Sequence, residues 1–151
     1  MKVIISDEYI QYKDFIERIP QTFDSLEGET LKNKRNSVKV FHHDGKAFFV
    51  KRYKRVNLLQ SVAYTLYRPT KAERAYRFAM EMRRRGISTP REIAYMEQTR
   101  CGLFSVGYFV CEQSMGTEAF TLLVDPEEFC RPLADAIARY VVFMHSRGVL
   151  H

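Results

Sequence analysis

The alternation of apolar and polar side chains is strongest between Ser37 and Arg55. Two runs rich in valine and phenylalanine flank the dipeptide Asp44-Gly45, which suits the positive φ angles of a tight hairpin turn. The second run has a period of two and therefore predicts a strand with different side chains on its two faces. These are Phe49, Lys51 and Tyr53 on one face, and Phe48, Val50 and Arg52 on the other.

Lys51 is the unusual member of this strand, because it lies between two aromatic residues on its own face. Lysine is seldom buried without a partner, so its ammonium group needs either a route to water or an anion. One interpretation is a packed aliphatic stem with a solvated ammonium group, and the other is an anion-binding lysine. The strand alone favours the first interpretation.

A helix and two strands are predicted after the hairpin. Thr70 and Glu73 have the spacing of a capping box, apolar residues then recur with a period of 3.6, and Gly86 ends the helix. Residues 92–97 and 103–112 are predicted to be strands, joined by a turn.

The segments that flank these elements are less regular. Residues 1–24 predict a mixed leader, in which apolar residues at roughly helical spacing before Pro20 indicate a short helix or an irregular packing segment. Residues 22–36 are polar and compatible with a first strand and a loop. Residues 56–68 are apolar enough for a helix or an irregular packing segment.

The last predicted helix opens at residues 125–128, where an acidic N-cap precedes a proline and further acids, and Pro132 either interrupts or restarts it. The order of elements is therefore strand or loop, hairpin, helix, strand, strand and helix. We predict an α+β fold, with one helix inserted after the third strand of an antiparallel sheet and a helical region at the end. This order excludes a doubly wound parallel sheet.

Composition restricts the class of protein. A length of 151 residues fits one domain, or one lobe and part of another, and 46% hydrophobic with 28% charged residues is typical of a globular chain. There is no apolar run long enough for a transmembrane helix, and acids come too early for a signal peptide, so we expect a cytoplasmic protein.

Metal and disulfide chemistry are not expected. The three cysteines form no C-x-x-C pair, which argues for reduced thiols, and Cys111 is expected to be a core residue of its strand. The sequence His42-His43-Asp44 contains residue types that bind metals, but adjacent residues of a strand point to opposite faces, so a shared metal site is not expected.

The formal net charge of +6 is concentrated in two clusters, residues 51–55 and 83–85. Such clusters favour anionic partners, including nucleic acid, phosphorylated lipid and nucleotide, without choosing among them. Each cluster alone also fits a solvated surface, and residues 83–85 suit the last turn of a helix, where cations complement the helix dipole.

The order of elements and the end of the chain together resemble the protein-kinase-like fold. In that fold a lysine of the third strand is followed by a helix, two strands and a further helix, and then by a catalytic loop that begins with histidine. Residues 143–151, which read FMHSRGVLH, are similar to the approach to that loop, with His151 as its first residue.

Within this superfamily, residues 25–151 resemble the lipopolysaccharide kinases of the Kdo/heptose-kinase, WaaP-like family. Four motifs carry the resemblance: Val50-Lys51-Arg52-Tyr53, the helix start at 69–76, the segment 86–90 before the next strand, and Gly107-Tyr108-Phe109-Val110. The chain departs from classical kinases in lacking the G-x-G-x-x-G of a phosphate-covering loop.

The resemblance implies that Lys51 contacts the α- and β-phosphates of ATP, a role that suits a compact ammonium group. It also implies a helix glutamate that pairs with this lysine. Glu73 is the nearest candidate, although the capping box explains it equally well, while a gapless comparison points to Ala75 and Glu81 is a third option. Positions 73 and 75 are about 200° apart on a helix, so they are not interchangeable.

The resemblance also assigns the remaining site residues. Glu112 and Ser114 fall where the hinge beside the adenine would lie, and backbone groups would make the hydrogen bonds there. His151 would scaffold the start of the catalytic loop, no catalytic residue is expected within the chain, and the ligands of Mg²⁺ are expected beyond its end.

The implied protein is an ATP-dependent kinase that phosphorylates a sugar hydroxyl of the lipopolysaccharide inner core, peripheral to the inner face of the membrane. The implied organisation is an N-terminal leader at 1–24, a kinase-like N-lobe at 25–115, and the start of a helical C-lobe at 116–151, truncated before the catalytic loop. We expect the 151-residue chain alone to be inactive.

Two alternatives stay open. One is another kinase-like phosphotransferase, such as an atypical protein kinase or an aminoglycoside-type small-molecule kinase. The other is a small basic nucleic-acid-binding module without catalysis. The absence of tryptophan and of a recognised nucleic-acid motif argues against this module, so no nucleic-acid partner is expected.

Overall fold

The computed structural model describes residues 1–25, 29–33, 36–114, 116 and 130–150. These residues form a six-stranded antiparallel sheet with the strand order β1-β5-β6-β4-β3-β2. The strands are β1 (Lys2–Ile5), β2 (Glu29–Asn33), β3 (Ser37–His43), β4 (Lys46–Arg52), β5 (Glu92–Arg100) and β6 (Leu103–Glu112). The helices are a 3₁₀ helix (Asp7–Tyr12), α1 (Lys13–Thr22), α2 (Leu58–Leu66), α3 (Lys71–Arg84) and α4 (Arg131–Ser146).

The predicted hairpin is confirmed. Asp44 and Gly45 have φ angles of 47° and 72°, the left-handed values that a two-residue hairpin turn requires. On its other edge β4 pairs with β6, so the strand that carries Lys51 is an interior strand of the sheet.

The sheet has two covered faces, and the alternation along β4 assigns its side chains to them as predicted. On the first, which we call the α1 face, Phe48 and Val50 are fully buried beneath the 3₁₀ helix and α1. The main core of the molecule lies here and includes Ile16, Ile19 and Phe23. Burial of this apolar surface is the main source of stability for the sheet.

The opposite face, which we call the α3 face, carries a smaller cluster. Ala72 and Tyr76 of α3 pack on Tyr95 of β5, and Tyr53 and Phe109 border this contact. Helix α3 therefore covers β5 and β6, and its contact with Tyr95 lies in the cross-strand row that also contains Phe109 and Lys51.

The ends of α3 follow the sequence prediction. The Thr70 side chain accepts a hydrogen bond from the backbone N–H of Glu73 at 3.1 Å. At the other end Gly86 has a φ angle of 77°, and its N–H donates to the carbonyl of Arg83 while that of Ile87 donates to Met82. This is the Schellman arrangement, which satisfies the last carbonyl groups of the helix.

The N-terminal region differs from the prediction. Residues 2–5 form β1, which pairs antiparallel with β5, and α1 continues through Pro20 to Thr22 instead of ending before the proline. Lys51 consequently lies in the fourth strand. The segment 56–68, for which a helix was one of two alternatives, contains α2, so two helices and not one separate β4 from β5. The pairing of β1 is non-local, and a four-residue strand has too short an alternation to reveal it.

Helix α4 begins after Cys130 with Pro132 in its first turn, so of the two predicted alternatives the helix starts at this proline. The predicted opening at 125–128 lies outside the described residues. A side-chain N–H of Arg85 donates to the carbonyl oxygens of Arg147 and Gly148 at 3.0 and 2.8 Å. These bonds attach the end of α4 to the end of α3.

Candidate functional site

Lys51 lies on the α3 face of β4 and is half-buried. Its cross-strand neighbours are Val38 on β3 and Phe109 on β6, so its aliphatic stem is enclosed by apolar side chains on both sides. The ammonium nitrogen is 5.4 Å from the centre of the Tyr53 ring. No described carboxylate forms an ion pair with it, so the ammonium charge is available to an anion.

Arg74 of α3 provides a second cation near the same ring. Burial raises the pKa of the Tyr53 phenol, while the nearby Arg74 charge opposes this rise. The Arg74 Nε atom is buried and has no hydrogen-bond partner among the described residues. A buried guanidinium N–H without a partner is costly, which indicates that an acceptor belongs there.

Glu73 lies elsewhere on the α3 face. Its carboxylate is 2.5 Å from Arg77 and 3.8 Å from Lys2. These residues and Glu97 line a cavity of about 500 Å³ between α2, α3 and β5. Strands β5 and β6 separate β1 from β4, a span of about 14 Å at the usual strand spacing. Glu73 thus belongs to other ion pairs than the one predicted with Lys51, and a role for it in binding nucleotide stays a prediction.

The two predicted hinge residues follow the end of β6. The Glu112 side chain accepts a hydrogen bond from the Tyr9 hydroxyl on the α1 face, away from Lys51, and its backbone N–H donates to the Arg91 carbonyl at 2.9 Å. Ser114 is exposed, and its hydroxyl accepts from the Gly116 N–H at 3.4 Å. Adenine binding by this segment remains a prediction, and His151 lies outside the described residues.

Each arginine of the cationic cluster at residues 83–85 forms an ion pair within the fold. Arg83 donates to both carboxylate oxygens of Glu92, which is buried on β5, at 3.2 Å. Arg84 and Arg85 donate to Glu81 and lower its pKa to about 2. These cations therefore lie at the C-terminal end of α3, as predicted for residues that complement the helix dipole.

The cluster at residues 51–55 is only partly neutralised. Arg52 donates to Asp24 at 2.7 Å and thereby lowers the pKa of that carboxyl group. Lys54 and Arg55 are exposed and form no ion pair with a described residue. Of the two predicted clusters, this one leaves cations available to an anionic partner.

Two other residues considered for chemistry, His43 and Cys111, pack against neighbouring side chains of the fold. The His43 ring stacks on Phe15, with centroids 4.3 Å apart. Cys111 is buried on β6 as predicted, and burial raises the pKa of its thiol to about 12. Sequence reasoning missed the environments of Arg74 and Glu92, because each depends on how α3 docks against the sheet and no local motif indicates it.

Comparison with known proteins supports the fold. No family model matches the chain, and no curated protein matches it. A solved structure of WaaP in complex with acyl carrier protein is similar, with a TM-score of 0.60 and 18% sequence identity. The match covers 96% of this chain, which spans 57% of that one.

This likeness, together with the topology, confirms the predicted α+β arrangement of a kinase-like N-lobe. The sheet is antiparallel, the lysine-bearing strand is interior to it, and α3 is inserted before the last two strands. The predicted resemblance to WaaP-like proteins thus holds at the level of the fold.

Proposed function

We propose that this chain is the nucleotide-binding part of a kinase-like phosphotransferase in which Lys51 binds the phosphates of ATP. The observation that carries the proposal is the position of Lys51 in this fold. It lies on the α3 face of an interior strand, with its stem enclosed and its ammonium group free of any described carboxylate. A phosphate-binding lysine needs both features: a side chain held in place and an ammonium group that is not already paired with a carboxylate.

The residues around Lys51 fit a polyphosphate. The ammonium group of Lys51 would neutralise non-bridging oxygens, and the partnerless Arg74 Nε–H is a further donor on the helix side of Tyr53. ATP would supply the phosphoryl group to be transferred, and Mg²⁺ would enter with its phosphates. The contribution of these side chains is to position and neutralise charge, which accounts for most of catalysis in this reaction class.

The proposed acceptor is a sugar hydroxyl of the lipopolysaccharide inner core. Its support is the set of four WaaP-like sequence motifs together with the similarity to the WaaP structure. An acceptor of this kind is anchored in lipid, so the proposed enzyme would work at a membrane surface.

The test is nucleotide affinity, measured by isothermal titration calorimetry with Mg-ATP. Lys51→Met should weaken binding by about 10- to 100-fold, the usual effect of losing a charge-assisted hydrogen bond, whereas Lys51→Arg should retain part of the affinity. Lys46→Met is the matched control, because Lys46 lies on the same strand but is exposed on the α1 face beside Tyr9. Equal ATP affinity in Lys51→Met and the parent chain would refute the role of Lys51.

A further inference from the structure

Helix α2 has its apolar side chains on the solvent side, which is the opposite of an ordinary amphipathic helix. It packs on β6 through Ser61, whose hydroxyl donates to the Phe104 carbonyl, and through Tyr64, whose ring lies 5.5 Å from that of Phe104. Its leucines point the other way: Leu58, Leu59 and Leu66 are 73%, 80% and 61% exposed. Surface helices normally direct their apolar stripe towards the core.

The exposed leucines form one continuous stripe. At 100° per residue, Leu58, Leu59 and Leu66 lie within an arc of about 100° on the helix surface. Tyr67, which follows the last turn, is 85% exposed and extends the apolar surface with a side chain that has a polar tip. Nothing in the described part of the chain covers this stripe. A cluster of this kind on a protein surface indicates an interaction site.

The charges around α2 identify the partner. Lys54 and Arg55 precede the helix and Arg68 and Lys71 follow it, all four are exposed, and none forms an ion pair with a described residue. No aspartate or glutamate occurs between Gly45 and Ala72. An apolar stripe with cations at both ends matches a bilayer surface, whose acyl chains accept leucine while anionic headgroups attract lysine and arginine.

We propose that α2, with the four flanking cations, is a docking surface for an anionic lipid bilayer. The helix lies in the plane of the interface, since a nine-residue helix is about 14 Å long and far too short to cross a bilayer. No helix in the described part of the chain is long and apolar enough to span a membrane. This surface is defined by α2 and its flanking cations and does not depend on the proposed phosphotransfer.

Binding to vesicles tests the apolar stripe. The 151-residue chain should bind vesicles of phosphatidylcholine mixed with phosphatidylglycerol in a flotation assay, and should bind phosphatidylcholine alone much more weakly. Leu58→Gln/Leu59→Gln should reduce the partition coefficient by about tenfold or more, because the lost contacts are apolar. Ile10→Gln/Val142→Gln removes two other exposed apolar residues and should leave binding unchanged.

The cations are tested in the same assay. Lys54→Gln/Arg55→Gln should weaken binding by roughly thirtyfold at low salt, and added salt should reduce that difference. Lys13→Gln/Arg18→Gln changes the net charge equally on exposed residues of α1 and should have a smaller effect.

Three results would overturn the proposal. The first is the absence of vesicle binding by the parent chain, and the second is equal binding by the α2 variants. The third is a change from dimer to monomer in Leu58→Gln/Leu59→Gln, seen by analytical ultracentrifugation, with vesicle binding unaltered. That result would assign the stripe to a second copy of the chain. Neither readout involves ATP, so the docking surface and the proposed function can fail separately.

Discussion

A Cβ atom built on Gly107 would lie 3.0 Å from the Cβ of Ala72, so α3 rests almost directly on the backbone of β6. Ala72 is fully buried, and the Gly107 carbonyl accepts a hydrogen bond from the N–H of Tyr53 at 2.9 Å. The contact therefore sets the height of α3 above the strands that carry Lys51 and Phe109. A small residue on each side is what allows this close approach.

Enlarging this contact should destabilise the fold. Ala72→Leu is expected to lower the free energy of unfolding by about 1–3 kcal/mol, because there is no space for the added methyl groups between α3 and β6. The measurement is urea denaturation followed by circular dichroism. Ala75→Leu is the control, since Ala75 lies on the same helix but is only partly buried. If the two variants are equally stable, the contact is looser than the structure indicates.

The N-cap of α3 should make its own contribution to the free energy of unfolding. The Thr70 hydroxyl accepts from the Glu73 N–H at 3.1 Å and donates to a Glu97 carboxylate oxygen at 2.6 Å. Thr70→Ala removes both bonds and should cost about 1–2 kcal/mol of stability. Thr70→Ser keeps the hydroxyl and should retain most of that stability. Equal losses in the two variants would show that the methyl group, not the hydroxyl, is the important part.

Stability should decrease at alkaline pH. Burial raises the pKa of Tyr53, Tyr76 and Tyr108 above 10.0, and raises that of the Cys111 thiol from 9.0 to about 12. The unfolded chain therefore loses these protons before the folded chain does, so the free energy of unfolding falls as pH rises above about 9.

The measurement is the urea midpoint between pH 7.5 and 10.5, together with tyrosinate absorbance. Cys111→Ala removes the group that titrates first in the unfolded state, and it should delay the onset of the decrease. A midpoint that does not change over this range would contradict the burial of these groups.

Elements defined by short-range signals could be predicted from the sequence. The hairpin turn at Asp44-Gly45 depends on two adjacent residues that favour positive φ, and the Thr70 cap depends on a spacing of three. The two faces of β4 follow from its alternation alone. Each of these features is fixed by contacts within a few residues, so the sequence carries enough information.

Features that depend on docking could not be predicted in this way. Glu73 pairs with Arg77 on its own helix at 2.5 Å, but its second cation, Lys2 at 3.8 Å, reaches it only because β1 joins the edge of the sheet. The direction of the leucines on α2 depends on the bond from Ser61 to β6, and the usual rule for apolar stripes predicts the opposite orientation. In both cases a tertiary contact overrides the local pattern.

The pairing of β1 with β5 affects how the chain can be assembled during synthesis. Lys2 pairs with Glu97, and Ile5 with Ala94, so the first strand leaves the ribosome about 90 residues before its partner, a delay of roughly 5–20 s at common elongation rates. The β3–β4 hairpin has no such delay. Until β1 pairs with it, β5 has an open edge that can pair with another chain. The pairing of β1 closes that edge and thereby protects β5 from edge-to-edge association.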